Sequence, residues 1–366
     1  MISNLWDTIV ALSIKMGMPF VVFYFSLCSN SFLNISAEDA TGLEKWGNNL
    51  LIPYQYLFVG KVAKPTLIEG KKEYILEDRF SYEDHFYLKT AGSTLSLLPS
   101  VAIGSTIKGL SLFCENSKKH HQQILASLES RRIIPNHKKY IEMGLDITSP
   151  LFTKPLECQN YKRRPEDLLH MQPDREALDK IIQLLKKNKI FCWVDCGTLL
   201  GTYRYGGIIP WDHDIDTGVL QMDFDNVVNA LKDLDTEKYL VLDFSARGKP
   251  KTLLKVYIKE TGHMIDIYQF SINKEEKTLS FIFTFKDHIF CADWWKKREM
   301  RFTQPVSYDV IFPLRTASFD GIDVLAPNKT IEYLHTFYGE NIDPSMLYNE
   351  ETCEYEKDLD HPYWAY

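Results

Sequence analysis

The chain has 366 residues, with 42 Lys and Arg against 49 Asp and Glu, a net charge of −7 that offers no electrostatic footprint for nucleic acid. Hydrophobic residues at 45% and charged residues at 25% exclude global disorder. A mean hydropathy of −0.23 excludes a polytopic membrane protein and leaves room for one anchor.

Met16 to Cys28 carries no charge. It is shorter than the ~20 apolar residues of a full span and suits a signal-peptide core; counted on to Leu33, across Ser29, Asn30 and Ser31, it becomes a signal-anchor. The competing reading is a buried N-terminal helix. Residues 1–35 are therefore expected to target or anchor the chain. Two N-x-[ST] triplets, Asn34-Ile35-Ser36 and Asn328-Lys329-Thr330, mildly favour a secretory lumen and glycosylation. Of seven cysteines, Cys28 lies in the apolar segment; the other six are compatible with disulfides in an oxidising compartment. Cys192 and Cys196 lack zinc-knuckle spacing and read as core, and His288 with Cys291 lacks a second ligand pair, so no zinc site is expected.

Residues 36–165 carry mixed signals and no chemical motif: short β-like runs at Tyr54–Val62 and Lys72–Leu76, a small-residue turn at Ala91-Gly92-Ser93, a helix over Gln122–Arg131. They read as an accessory or stem region. Pro155 and Pro165 flank a basic stretch that marks a boundary. Pro173-Asp174 opens a helix with apolar Leu178, Ile181, Ile182 and Leu185 on one face, followed by an apolar strand over 190–194. Helices then alternate with β-branched segments, the pattern of an α/β or α+β catalytic domain over 166–345, with a C-terminal tail over 346–366.

The chemistry concentrates in Val194–Val219. Asp212, Asp214 and Asp216 alternate with period two, so on a strand all three carboxylates face one side. Such a stack repels itself and takes up protons unless a cation compensates, and a hard divalent ion, Mg²⁺ or Mn²⁺, is the natural compensator. A solvated acidic edge strand is the bland alternative, which the apolar Ile208-Ile209-Pro210-Trp211 disfavours. Asp266 sits alone in the apolar run Met264–Tyr268, where a carboxylate must be paired, coordinated or protonated. Gly197 permits close backbone approach, and Thr198 offers a hydroxyl and an N-cap for a phosphate-binding helix start. Arg204 is a candidate diphosphate clamp, brought back to the Asp strand by a Gly206-Gly207 turn. Lys255 either reaches phosphate or lies on a solvated strand face.

These segments resemble the LicD family, which includes bacterial phosphocholine transferases and the animal fukutin and fukutin-related proteins. The resemblance rests on GTLLGTYRYGGIIPWDHDIDTGV at 197–219, MIDIYQF at 264–270, FPLRTASFDGIDVLAP at 312–327 and IEYLHTFYG at 331–339. It covers 174–345 and looks closest to the fukutin-related type. It implies a nucleotidyltransferase-like mixed sheet flanked by helices, with the Gly-Thr element and the Asp-x-Asp on adjacent strands. It further implies transfer of a phospho-alcohol, of the phosphocholine or ribitol phosphate type, from a CDP-linked donor to a glycan hydroxyl. For animal members it implies a single-pass Golgi or ER membrane protein with a lumenal catalytic domain. A zinc insert is not carried over, since its cysteines are not matched. On this reading Asp214 and Asp216 hold the metal, Asp212 or Asp266 accepts the proton, and Gly197, Thr198, Arg204 and Lys255 contact the donor; spacing leaves open which carboxylate is ligand and which is base. The rivals are a catalytically silent lumenal glycan-binding or scaffold protein of the same fold, and nucleotidyl transfer.

Overall fold

A computed structural model describes residues 16–364, apart from 18, 21, 25, 69, 83, 130–132, 134, 148–153, 170, 246–250, 285 and 287–291. The apolar stretch before Met16 and the His288–Cys291 pair lie outside the described residues. The chain divides into two compact units, Met1–Arg132 and Ile133–Tyr366. The division falls well before Pro165, because 133–165 is tied into the second unit. There the Tyr140 hydroxyl and the Asn136 amide donate to Asp223 (2.6 and 2.7 Å), and Leu156 N–H donates to the Thr316 carbonyl.

The first unit carries a three-stranded sheet, β1 (Ile35–Ala37), β2 (Lys61–Ile68) and β3 (Lys71–Asp78), in that order. Helices α1 (Gly42–Leu50) and α2 (Leu97–Ser111) cross closely, since a Cβ at Gly47 would stand 2.7 Å from the Lys108 backbone nitrogen. The sequence expectations need three corrections here. Ile52–Leu57 is a helix rather than the start of a strand, Ala91-Gly92-Ser93 lies inside the helix Phe86–Leu95, and the helix expected at Gln122 begins at Glu115. Positions 16–28 are helical where described, yet among the described residues no single helix is long and apolar enough to cross a membrane. Neither N-x-[ST] triplet presents a free acceptor amide. Asn34 is buried with its Nδ2 on the carbonyls of Leu27 and Cys28, and Asn328 Nδ2 donates to the carbonyls of Asp309 and Phe312. Cys114, Cys158, Cys192, Cys196 and Cys353 are free thiols, with Cys192 and Cys196 in the core.

The second unit holds the chemistry. Helix α3 (Gln172–Lys187) buries Leu178, Ile181 and Leu185, the face its spacing predicts, and ends in Lys186 and Lys187, which favour the C-terminal pole of the helix dipole. Behind it lies a mixed sheet built from β4 (Cys192–Val194), β5 (Ile215–Leu220), β6 (Tyr239–Asp243), β7 (Leu253–Ile258), β8 (Met264–Asn273), β9 (Thr278–Phe281) and β10 (Val306–Ser307). Its order is β10-β9-β8-β5-β4; β7 shares an edge of β8 with β9, and β6 lies outside β7. In this sheet, among the described residues, only β5 and β8 run parallel, linked through α5 (Phe224–Leu231) and the β6–β7 hairpin, with α4 (Cys196–Tyr205) between β4 and β5. The core includes fully buried Trp193, Leu199, Ile215 and Phe270. The expected mixed α/β arrangement flanked by helices is present.

A second hairpin, β11 (Arg315–Phe319) and β12 (Ile322–Ala326), turns at Asp320-Gly321. Both turn residues have positive φ (+49° and +84°), as a two-residue type I′ loop requires. The buried Asp320 carboxylate lies against Gly207, where a Cβ would come within 2.0 Å of Oδ1. It accepts from Ile208 N–H (2.9 Å) and pairs with Arg163 (2.6 Å). This latch fixes the Gly206-Gly207 bend. The last residues are no detached tail, because β13 (Met346–Asn349) and β14 (Glu354–Lys357) form a hairpin whose Tyr355 hydroxyl donates to Asp167 (2.7 Å).

Asp320→Ala leaves the Arg163 guanidinium buried and unpaired, and is expected to cost about 3–5 kcal/mol of unfolding free energy. Urea denaturation checks this; a loss under about 1 kcal/mol would mean that the bend holds without the ion pair.

Candidate active site

The site begins where β4 ends. Asp195 caps α4, its buried carboxylate accepting from Cys196 N–H (2.8 Å) and from the Tyr333 hydroxyl (2.9 Å) of α7 (Thr330–Tyr338). The cap is therefore Asp195 and not Thr198; an Asp between a strand and a helical run is the signal that identifies it. Cys196 opens the helix at φ +46°, a left-handed conformation uncommon outside glycine, asparagine and aspartate. Thr198 instead fixes a neighbour, its Oγ1 accepting from Asp216 N–H (2.8 Å), while Asp195 N–H donates to the Asp216 carbonyl (3.0 Å). Both backbone groups of Asp216 are thus tied to the start of α4.

The three aspartates do not share one strand face. Strand β5 starts at Ile215, so only Asp216 lies on it; Asp212 and Asp214 sit in the loop before it, half-buried and exposed respectively. The Asp212 carboxylate folds over Gly197, where a Cβ would lie 2.7 Å from Oδ2. Glycine at 197 is what lets the carboxylate reach the first turn of α4.

On the sheet, Asp216 of β5 pairs in register with Asp266 of β8, which pairs with Lys255 of β7. Three chemistry-bearing residues thus form one row across adjacent strands. Lys255 Nζ donates to both Asp266 oxygens (2.7 and 2.6 Å), and the Tyr268 hydroxyl adds a third bond at 3.1 Å. Lys255 therefore neither faces solvent nor stands free for phosphate; it is the counter-charge of Asp266. Two residues along, Gly218 has no room for a side chain because the Trp193 indole lies over it, 2.6 Å from where a Cβ would be.

The carboxylates are crowded with charge of one sign. Burial, then the Asp214 charge, pushes Asp212 up to about 7, and its side chain hydrogen-bonds to that of Asp214. Asp216 is held well above the usual carboxylate range by burial first, then by Asp214, Asp266, Asp212 and Asp195. Burial raises Asp266 too, with Lys255 opposing. Burial lifts Asp195 to about 6 against its two hydrogen bonds. Among the described residues, no three His, Cys, Asp or Glu side chains form a group that could hold a metal ion as they stand.

Arg204 is not turned to this cluster. Its guanidinium donates to the carbonyls of Ile342 (2.7 Å) and Asp343 (2.8 Å), at the opposite end of α4, roughly 10 Å along the axis from Gly197. The Gly206-Gly207 bend is latched by Asp320 and does not fold the arginine back. Trp211, beside Asp212, is part-exposed and packs edge-on against Tyr355 (5.4 Å). Arg301, on the turn after α6 (Asp293–Met300), was not singled out by the sequence; its signal was a basic run, Lys296 to Arg301, without a motif.

Residues 189–329 match the family model described as the LicD/FKTN/FKRP nucleotidyltransferase domain. This shows the LicD-type domain to which the sequence motifs point, and all eight candidate residues lie inside it. An uncharacterized protein of Rickettsia prowazekii is 29% identical over 169 residues, covering 46% of this chain and 54% of that protein. Ribitol 5-phosphate transferase FKRP of Mus musculus is 25% identical over 183 residues, covering 48% of this chain and 32% of the relative. Ribitol-5-phosphate transferase FKTN of Mus musculus is 26% identical over 168 residues, with 45% and 32% covered. The chain spans about half the length, or less, of these relatives.

Arg204→Lys loses the fork that holds two carbonyls. It should lower unfolding free energy by about 1–3 kcal/mol and leave affinity for CDP unchanged. Weakened CDP binding at unaltered melting temperature would return Arg204 to the site. A pH profile follows from the carboxylates. A carboxyl whose folded pKa exceeds its unfolded value binds more protons folded, so its stabilisation is complete below the usual 3.8 and is lost as pH rises through the folded value. The melting temperature without divalent cation should fall between about pH 4 and 7, and Asp212→Asn should flatten the upper part of that fall. A profile that Asp212→Asn leaves unaltered would show that Asp212 does not titrate there.

Proposed function

We propose that the chain transfers a phospho-alcohol, of the phosphocholine or ribitol phosphate type, from a CDP-linked donor to a glycan hydroxyl. The observation that carries this reading is the carboxylate cluster at the start of α4, inside a LicD-type domain and short of compensating positive charge. A catalytically silent scaffold gains nothing from that cluster, which costs stability at neutral pH.

The donor set fits a hard divalent cation, Mg²⁺ or Mn²⁺, in its chemistry: all oxygen, like-charged, with Asp212 and Asp214 in hydrogen-bond contact. Asp214 and Asp216 would hold the ion, which supplies charge neutralisation on the diphosphate. The remaining work falls to the protein. The acceptor hydroxyl oxygen attacks the phosphorus bearing the alcohol, the bond from that phosphorus to the oxygen bridging it to CMP breaks, and CMP leaves. Asp212, half-buried and titrating near neutrality, is matched to accept the hydroxyl proton. Asp266 is held by Lys255 and Tyr268, an arrangement suited to orienting rather than to shuttling protons. The Golgi or ER setting and the N-terminal anchor rest on sequence features alone.

The test is incubation of the full chain with CDP-choline or CDP-ribitol and Mn²⁺, followed by analysis of the nucleotide released. Slow release of CMP is expected, and Asp214→Asn should reduce it on the order of a hundredfold or more while the metal-free melting temperature holds or rises. Diphosphate released from CTP in place of CMP would make the reaction nucleotidyl transfer. No turnover of either donor would sink the proposal.

A further inference from the structure

The diphosphate clamp that Arg204 does not provide has a better candidate across the site. Segment 293–301 carries four cations. Lys296 pairs with Asp293 (3.4 Å), Arg298 with Glu299 (2.9 Å), and Lys297 is exposed. Arg301 is half-buried and pairs with no carboxylate among the described residues, and its Nε is buried with no hydrogen-bond partner there. Its guanidinium lies 4.6 Å from the Tyr338 ring centroid and 4.7 Å from that of Phe302. Two aromatic faces thus hold the fork in place while its buried Nε–H goes unused. A buried guanidinium N–H without an acceptor costs free energy, which an arriving anion would recover.

Two chains of contact link this fork to the carboxylates. Phe302 meets Phe281 (6.3 Å), Phe281 meets Tyr268 (4.7 Å), and the Tyr268 hydroxyl donates to Asp266. On the other side Phe302 meets Phe337 (5.4 Å), Phe337 meets Tyr333 (4.9 Å), and the Tyr333 hydroxyl donates to Asp195. Tyr338 lies within electrostatic reach of Arg301, Cys196, Asp195 and Asp216 together. Asp195 and Asp266 bracket the acidic end of α4, so Phe302 bridges its two flanks with Arg301 next to it.

We propose that Arg301, stacked on Tyr338 and Phe302, is a binding residue for the donor's diphosphate, its fork taking phosphate oxygens opposite the Asp212–Asp216 cluster. This deepens the reading of the site as a CDP-dependent transferase and rests on it for the identity of the ligand. The chemistry recognised is a diphosphate, whether free or joined to a nucleoside. A planar fork on aromatic faces suits two phosphate oxygens better than a lysine point charge.

The experiment measures binding of inorganic pyrophosphate and of CDP, each with Mg²⁺, to the full chain by calorimetry, with melting temperature taken on the same samples. Loss of a charge-assisted pair predicts about ten- to a hundredfold weaker binding of both probes to Arg301→Met, with a smaller loss for Arg301→Lys. Lys297→Met should bind as the unmodified chain does. If Arg301→Met does not fold, Arg301→Lys decides. Equal binding of both probes to the unmodified chain and to the folded Arg301 variant overturns the assignment and leaves the transferase reading intact. Pyrophosphate binding that needs Arg301, with no CDP binding, upholds the assignment and removes the cytidine donor. Binding of neither probe overturns both.

Discussion

Parallel pairing of β5 with β8 sets Asp216 directly beside Asp266, and much of the site is arranged around that adjacency. Two carboxylates on neighbouring strands, nearly buried, repel each other in a medium that screens poorly. The fold answers the repulsion once, with Lys255 on the far side of Asp266, and leaves the other half uncompensated. The crowding reaches the loop, where burial and then the Asp214 charge push Asp212 up to about 7. A protein whose only task was to fold would relieve this strain with a hydrophobic row. Retaining it makes sense if a cationic partner arrives with the substrate.

Much of the scaffold around that row positions Asp216 without touching it chemically. Thr198 and Asp195 hold its backbone, and Tyr333 holds Asp195 from the last helix of the domain. Gly197 and Gly218 keep space, one for the Asp212 carboxylate and one for the Trp193 ring. The Asp320 latch fixes the Gly206-Gly207 bend through which the chain leaves α4 toward the acidic loop. Four polar side chains and two glycines thereby determine where the carboxylates stand, which accounts for their clustering within short stretches of sequence.

That clustering is why the site was largely legible from the sequence. Asp212, Asp214, Asp216 and Asp266 announce themselves because carboxylates are conspicuous in apolar surroundings, and α3 announces itself by its period. Which backbone each aspartate rides on was less visible. The period-two pattern describes a strand, but the strand begins only at Ile215, since Pro210 and the latched bend hold the chain in a loop up to that point. Arg204 misled because the ends of a helix are indistinguishable by residue type; whether an arginine faces phosphate or a carbonyl depends on what packs beyond it, here Ile342 and Asp343. Lys255 had two readings, and the third, an ion pair with Asp266, depends on a strand register that local sequence does not state.

The fate of the two arginines follows one rule. A guanidinium has five donors and is costly to bury without acceptors. Arg204 finds backbone carbonyls, so it is satisfied in the resting chain and has little to give a ligand. Arg301 is held by aromatic faces, which attract its charge but accept few of its hydrogen bonds, so its buried Nε–H is left without an acceptor. Cations already engaged in the fold serve stability, while those oriented but unsatisfied are poised for an anion. By the same measure Lys255, saturated by Asp266, serves the architecture of the row, and the unsatisfied guanidinium is left to the turn after α6.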